Sequence, residues 1–551
     1  MRSEDVTSVT ISSAADSSGT RLARGDRDSS GARLTPGDGD SPGVRLTPGD
    51  GDSPGVRLTP GEDADRSGVR LTPGDVVEVV VGEAAHGGWC MARLDGSGPV
   101  VFVRHALPGE RVRARITEVT SRFARADAVE ILTPSADRVE PPCPYARPGG
   151  CGGCDWQHAS LPAQRELKAS VVRQQFRRIA GIDWPVTVEA LPPDGADRDG
   201  AGEDGAGADR AGKDGAEDGA ATPGLGWRTR VKFAVRRDGV AGLRAHRSHD
   251  VIDVADCLIA HPGISDLGVP EQPWPRVTSV EAVVATDNGE RAVIVSWQGR
   301  SAALTQTTAE SVLAVVGHHR PREARVPGAS AQRGRAGGRP TAPRAGGTTV
   351  LRGHSHLRQR AAGRSWRVSA GGFWQVHPAA ADTLARAVLD ALAPRAGDTV
   401  LDLYCGAGLF TGVLADAVGP GGTVTGVEAS AAAVRDARRN LRATPWATVH
   451  RGDAAGVMAR GLPAARLAVL DPPRAGAARE VIEYLARPAA GGGQDAAGER
   501  RVAYVSCDPA TLARDIAIFA AHGWRLADLR AFDAFPMTHH VECLATLVSG
   551  S

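Results

Sequence analysis

No apolar run in this chain approaches the ~20 residues of a membrane-spanning helix. A helical membrane protein is therefore excluded. The opening stretch, Met1-Arg-Ser-Glu-Asp5, lacks the basic start and apolar core of a secretion signal. The expected compartment is the cytoplasm. Cysteine is scarce, at 8 of 551 residues. That is too few for a disulfide framework at this length, and the clustering suits a metal or catalysis in a reducing compartment. Lysine is scarcer: Lys168, Lys213 and Lys232 are the only ones among 65 basic residues.

The net charge of +1 hides a division. Residues 1–72 carry 9 basic and 12 acidic side chains, and residues 193–222 carry 3 and 9. With both set aside, the remainder carries +10. Much of that lies in 318–362, where ten arginines face one glutamate. A basic body of this kind is compatible with nucleic acid.

The chain divides by pattern. Arg-Leu-Thr recurs at 33–35, 45–47, 57–59 and 70–72, in units rich in Pro and Gly. Such units bury too little to offset ordering entropy, so 1–72 is expected to be a disordered tail. Residues 73–133 hold short alternating runs (76–81, 100–103, 111–116, 126–131) broken by turn residues, which predicts a small β-barrel. Residues 134–370 form a middle α+β region with two expected solvated inserts, 193–222 and 318–362. From 371 onward strands and helices alternate, which predicts an α/β doubly wound sheet. The expected strands are 399–404, 423–428, 448–451, 467–470, 502–506, 524–532 and 540–548.

Four motifs carry chemistry. Asp402-Leu-Tyr-Cys-Gly-Ala-Gly408 ends a strand in a Gly-rich turn. Gly406 and Gly408 allow close approach of a nucleotide, and Glu428 ends the next strand where an acid would bind ribose hydroxyls. The third glycine of a dinucleotide fingerprint is missing, which favours S-adenosylmethionine over NAD. Asp453 fits an adenine-contacting loop. Asp471-Pro-Pro-Arg474 places a carboxylate at a rigid strand exit. Glu542 stands in an apolar strand-like run, where a buried carboxylate asks for a reason; a general base is one, and an ion pair with Arg474 is the plainer one.

Cys507 closes the set. It follows a strand and precedes Asp508-Pro509, a helix start. Orphan amides and the helix dipole there favour a thiolate. Cys143, Cys151, Cys154 and the distant Cys257 suggest a metal site, zinc or iron–sulfur. Trp227, Arg228, Arg230 and Lys232 form an aromatic-basic strand suited to RNA, although a solvated face fits nearly as well.

These motifs, with Gly372-Phe-Trp-Gln-Val376, Ser506–Arg514 and His540-Val-Glu542, resemble the RNA 5-methyluridine methyltransferase family of tRNA and 23S rRNA (uracil-5-)-methyltransferases. The resemblance runs over 73–551. It implies a TRAM domain at 73–133, Cys507 as nucleophile and Glu542 as general base. It implies Gln375, Tyr404, Glu428, Asp453 and Asp471 as S-adenosylmethionine contacts. It also implies Cys143, Cys151, Cys154 and Cys257 as ligands of a 4Fe-4S cluster. The expected partner is tRNA or rRNA, and the expected state is a monomer. Asp508 stands where the family usually has asparagine, and Leu409 also where asparagine is frequent. A negative charge beside the thiol would raise its pKa unless paired. The competing expectation is a non-catalytic RNA-binding protein or chaperone on the same fold.

Overall fold

The computed structural model describes residues 71–94, 98–192, 222–298, 315–320, 348–487 and 499–550. The repeat tail and the 193–222 insert lie outside these residues, apart from their last positions.

β1 (Val76–Ala85), β2 (Trp89–Arg93), β3 (Val100–Arg104), β4 (Arg111–Val119) and β5 (Phe123–Thr133) close into a barrel in the order β1-β2-β3-β5-β4. Alternation drives it: Val77, Val79 and Val81 point inward while Glu78 and Val80 face out. Closure leaves no free strand edge.

After the barrel, Ser160 caps α1 (Leu161–Gln175). The helix runs into a π-turn, Phe176–Ala180, stopped by Gly181 at φ 67°. β6 (Val188–Ala190) follows. Then come β7 (Arg230–Val235), β8 (Ala241–Arg244), β9 (Val251–Ile252), α2 (Pro262–Ser265), β10 (Val277–Val284), β11 (Arg291–Gln298), β12 (Val315–Arg320) and β13 (Thr348–Arg352). The seven strands from β7 to β13 make one sheet, ordered β13-β12-β11-β10-β7-β8-β9. β14 (His356–Ala361) and β15 (Arg364–Ser369) form a hairpin. The segment expected to be a solvated insert, 318–362, thus carries strands at both ends; its arginine-rich middle lies outside the described residues. Thr348–Arg352 and His356–Ala361 offer β-branched and alternating residues enough to pair.

The C-terminal part alternates as expected: α3 (Ala380–Leu392), β16 (Thr399–Leu403), α4 (Leu409–Val418), β17 (Thr423–Glu428), α5 (Ala431–Asn440), β18 (Ala447–Arg451), α6 (Ala454–Met458), β19 (Leu467–Leu470), α7 (Arg479–Ala486), β20 (Arg501–Ser506), α8 (Pro509–Ala521), β21 (Trp524–Asp533) and β22 (Glu542–Ser549). Their sheet has eight strands, ordered β18-β17-β16-β19-β20-β22-β21-β6. β16 to β20 run parallel, and β22 is antiparallel to both neighbours. Both faces are covered. Leu401 and Leu403 pack on one side with Phe176, Tyr504 and Phe519. Val400 packs on the other with Trp366, Phe410 and Phe532.

β6 comes from the middle region yet extends this sheet, parallel to β21. Three residues are too few to announce a strand. A buried ion pair strengthens the junction: Lys168 Nζ on α1 lies 2.5 Å from Asp533 Oδ1 and donates to Phe535 O at 2.9 Å. Removing either partner of such a pair costs about 3–5 kcal/mol. Among the described residues no helix is long and apolar enough to cross a membrane.

Candidate active site

The sheet reverses its winding between β16 and β19, where ligands of open α/β sheets bind. Five of the predicted cofactor residues meet at this switch. Tyr404 leaves β16 at φ 69°, a left-handed conformation costly for a bulky residue. The Tyr404 and Cys405 amides both donate to Val427 O, at 2.9 and 3.0 Å. The Gly406 amide donates to Glu428 Oε2 at 3.1 Å, and Ser430 N donates to Oε1 at 2.6 Å. Gly408 caps α4 at φ 92°, and a Cβ there would sit 3.3 Å from the Ala437 side chain. Behind the turn, Thr411 Oγ1 donates to the fully buried Asp402 Oδ2 at 2.5 Å. Burial pushes the Asp402 carboxyl up to about 7. Asp471 follows β19 and its amide reaches Leu403 O at 3.3 Å.

Two further predicted cofactor residues sit beside this group. Asp453 caps α6, accepting from Gly456 N at 2.7 Å, and acts electrostatically on Tyr404. Gln375 is buried on the segment 370–376. Arg230 pins that segment by donating to Ala370 O and Gly372 O at 2.8 Å each, and Thr229 N donates to Val376 O at 2.9 Å. Between these anchors Phe373 is 67% exposed.

Cys507 follows β20 and Glu542 opens β22, its antiparallel neighbour. The two strands bring both side chains to the same end of the sheet as Asp471. Cys507 does not behave as the sequence predicts. Its thiol is pushed up to about 12, first by burial and then by Glu542, with Asp471 adding to it. Arg474 opposes this, as a nearby charge and as a hydrogen-bond donor to the sulfur. The expected help from α8 is taken by another group: Asp508 Oδ1 accepts from Ala510 N at 3.0 Å and Thr511 N at 2.9 Å. Glu542 is buried and held well above the usual carboxylate range, by burial and then by Asp471. Burial also pushes Asp471 up to about 7.

Arg474, expected as an ion-pair partner for Glu542, acts electrostatically on Glu542 and on Cys507 as well. It also lies 3.4 Å from His540 Nε2. Burial pushes His540 down to about 2, which leaves it neutral. The Asp471–Arg474 exit is fixed from below by Asp515, which accepts from Ala477 N at 3.0 Å and Tyr504 OH at 2.6 Å. At Gly476, φ 81°, a Cβ would fall 2.5 Å from Asp515 Oδ2.

Two other expectations change. Trp227 is buried and stacks on His377, with ring centroids 5.9 Å apart. Arg230 is committed to Glu281 and the 370–372 backbone. Trp227 and Arg230 are therefore committed inside the protein, and Lys232 keeps an exposed face. The thiols of Cys143, Cys151, Cys154 and Cys257 lie within electrostatic reach of one another, and burial raises the last three. Their donor set is chemically right for iron–sulfur, but among the described residues no group of three or more His, Cys, Asp or Glu is arranged to hold a metal. This arrangement does not support the predicted cluster.

Comparison with known proteins agrees with the fold. Residues 70–129 match the TRAM domain family, 394–454 a methyltransferase domain family, and 464–549 the tRNA (Uracil-5-)-methyltransferase family. An uncharacterized RNA methyltransferase of Streptomyces avermitilis is 46% identical over 85% of this chain and 97% of its own length. The 23S rRNA (uracil(1939)-C(5))-methyltransferase RlmD of Shewanella baltica is 31% identical over 81% of this chain and 90% of its own. The chain belongs to the RNA (uracil-5-)-methyltransferase family. It is an S-adenosylmethionine-dependent RNA methyltransferase of that family, with a TRAM barrel. A solved family fold agrees: the Pyrococcus abyssi tRNA (uracil-54, C5)-methyltransferase, in complex with S-adenosyl-L-homocysteine, superposes with a TM-score of 0.57 at 20% identity, covering 86% of this chain and 100% of the other.

Proposed function

We propose that this methyltransferase forms 5-methyluridine in tRNA or rRNA through a covalent bond between Cys507 and C6 of the target uracil. The convergence of Glu542, Asp471 and Arg474 on Cys507, where the strand ends meet, carries the reading: all three act electrostatically on its thiol. Uracil C5 is a poor nucleophile on its own. Addition of the Cys507 thiolate to C6 moves the C5–C6 electron pair into an enolate, which makes C5 nucleophilic. C5 would take the methyl group that S-adenosylmethionine supplies, the electrons of the broken C–S bond staying on sulfur to leave a neutral thioether. Glu542 then takes the C5 proton. The electrons of the C5–H bond rebuild the double bond and expel the Cys507 sulfur.

The resting electrostatics set a condition. Burial and the neighbouring carboxylates raise both the thiol and the Glu542 carboxyl, so each works against a bias toward its protonated form. Arg474 lowers both, and a sulfonium cation in the cleft would add to it. Gln375, Tyr404, Gly406, Gly408, Glu428, Asp453 and Asp471 are the residues assigned to hold the nucleoside-bearing co-substrate. The uridine must leave its stack to reach Cys507, and the exposed Phe373 ring beside Gln375 offers it a surface. No step runs through a metal.

The test uses RNA that lacks the modification and labelled S-adenosylmethionine. Label in 5-methyluridine supports the proposal; its absence rejects it. Glu542→Gln should retain a methylated protein–RNA adduct that survives denaturation, since the sulfur then has no route out.

A further inference from the structure

The barrel touches the catalytic centre at two points. Its β1–β2 turn brings His86 Nε2 to 3.4 Å from Asp508 Oδ2, on the residue that follows Cys507. In the same turn Gly88 packs so tightly on Asp155 that a Cβ would lie 2.7 Å from the Asp155 carboxyl carbon. Arg104 of β3 holds Asp155 Oδ1 at 3.4 Å. Asp155 Oδ2 in turn lies 2.5 Å from His539 Nδ1 and accepts from His539 N at 3.2 Å, three residues before Glu542. Barrel residues thus brace the chain after the nucleophile directly, and the chain before the base through Asp155.

Asp508 needs that contact. One of its oxygens is held by the α8 amides. The other would be free to turn its charge toward Cys507 without His86. As the structure stands, the charges acting most on Cys507 are Glu542, Arg474 and Asp471. Those acting most on His86 are Asp508 and His539. We propose that His86 of the TRAM barrel is a positioning residue for the methyl transfer, fixing the Asp508 carboxylate so that it does not suppress the neighbouring thiolate. The proposal takes Cys507 as the nucleophile and rests on that assignment. His86 can act as a neutral donor through Nε2, so the contact does not need a protonated imidazole. Its lowered pKa, caused chiefly by burial, agrees with that.

Thiolate content is the readout. The full-length protein is treated with iodoacetamide at pH 8 and 9, and Cys507 modification is followed by peptide mass analysis. Below the thiol's midpoint the rate tracks the thiolate fraction. His86→Ala should slow alkylation about threefold at both pH values, the size of a half-unit upward shift from a partly screened charge. His86→Gln, which keeps a donor, should react as the parent does. Asp508→Asn should react equally fast with or without His86→Ala, because the charge to be held is gone. Adduct formation with RNA should fall by the same factor in His86→Ala. The pair is partly exposed, 39% and 21%, so melting temperatures should stay level. An unchanged alkylation rate in His86→Ala, or a double variant as slow as His86→Ala, overturns the proposal. A Cys507→Ala protein that still forms 5-methyluridine overturns the nucleophile assignment instead, and does so independently of the alkylation rates.

Discussion

Cys507, Glu542 and Asp471 each stand at a strand end of one eight-stranded sheet. Cys143, Cys151 and Cys154 stand in turns between β5 and α1, and Cys257 lies between β9 and α2. Both groups announce themselves in the sequence through reactive side chains set in recognisable motifs. The sheet fixes its group by hydrogen-bond register: Ser506 pairs with Cys543, which puts the residue after one beside the residue before the other. The turns supply less. Cys151 makes an isolated bridge to Ala245, and Cys154 and Cys257 pack on the Trp227–Met537 cluster as apolar neighbours. Strand ends deliver chemistry at fixed positions, whereas ligands borne by turns depend on contacts that spacing does not encode.

The sharpest way to break this contrast is Cys507→Ala. If the strand-end group is the catalyst, 5-methyluridine formation should fall by about four orders of magnitude or more, read by nucleoside analysis after single turnover. Glu542→Gln should slow turnover by about 10²–10⁴-fold while a methylated adduct accumulates on denaturing gels. A variant that turns over normally would remove Glu542 from the base role.

Much of the sheet was legible. The expected strands 423–428 and 467–470 coincide with β17 and β19, because buried parallel strands read as continuous apolar runs between Gly, Pro and charged punctuation. β2 was not foreseen. Gly87 and Gly88 precede it, and Trp-Cys-Met-Ala-Arg offers weak alternation. The site residues were read from motifs at strand ends and from the family resemblance. The site's electrostatics were not legible. The expectation of a thiolate at Cys507 used only its local neighbours, a strand end and a helix start. Glu542 lies 35 positions later and Asp471 36 earlier, and burial among them decides the thiol's state. Asp508 also takes the helix amides that local reasoning had given to the sulfur.

That electrostatic setting gives a pH prediction. The active forms of Cys507 and Glu542 are deprotonated, and both folded pKa values lie above the ordinary ones. The single-turnover rate should therefore climb from pH 7 to 9, by up to about tenfold per unit for each group that limits it. Arg474→Ala removes the cation that lowers both, and should cut the rate at pH 8 by about 10–100-fold. Arg474→Lys should recover part of it. A flat profile would mean that the protons leave before the measured step, and would detach the thiol's resting state from catalysis.

Asp402 tests the sheet's interior by stability rather than rate. It is fully buried, with its carboxyl at about 7 against an ordinary 3.8. A folded pKa above the unfolded one means the folded state holds its proton more tightly. That contribution is full below about pH 4 and is lost as pH rises through 7. Three units correspond to at most about 4 kcal/mol, and relaxation should leave about half. Asp402→Asn keeps an acceptor for Thr411 without the titration. It should melt higher than the parent at pH 8 and no higher at pH 4.5, as differential scanning fluorimetry would show.

The smallest effect belongs to the turn-borne thiols. Cys154 packs with Cys257 against Trp227, Ile259 and Met537, so Cys154→Ser replaces an apolar contact by a hydroxyl and should cost about 1–2 kcal/mol of stability. If these sulfurs only pack, the adduct-forming step should change by less than about threefold in protein that remains folded. Iron and acid-labile sulfide analysis of anaerobically purified protein supplies the decisive arm. Stoichiometric iron and sulfide, lost in Cys154→Ser, would show that the turns close around a cluster after all. The fold would then fix both groups of reactive residues equally well, by register in one case and by metal bonds in the other.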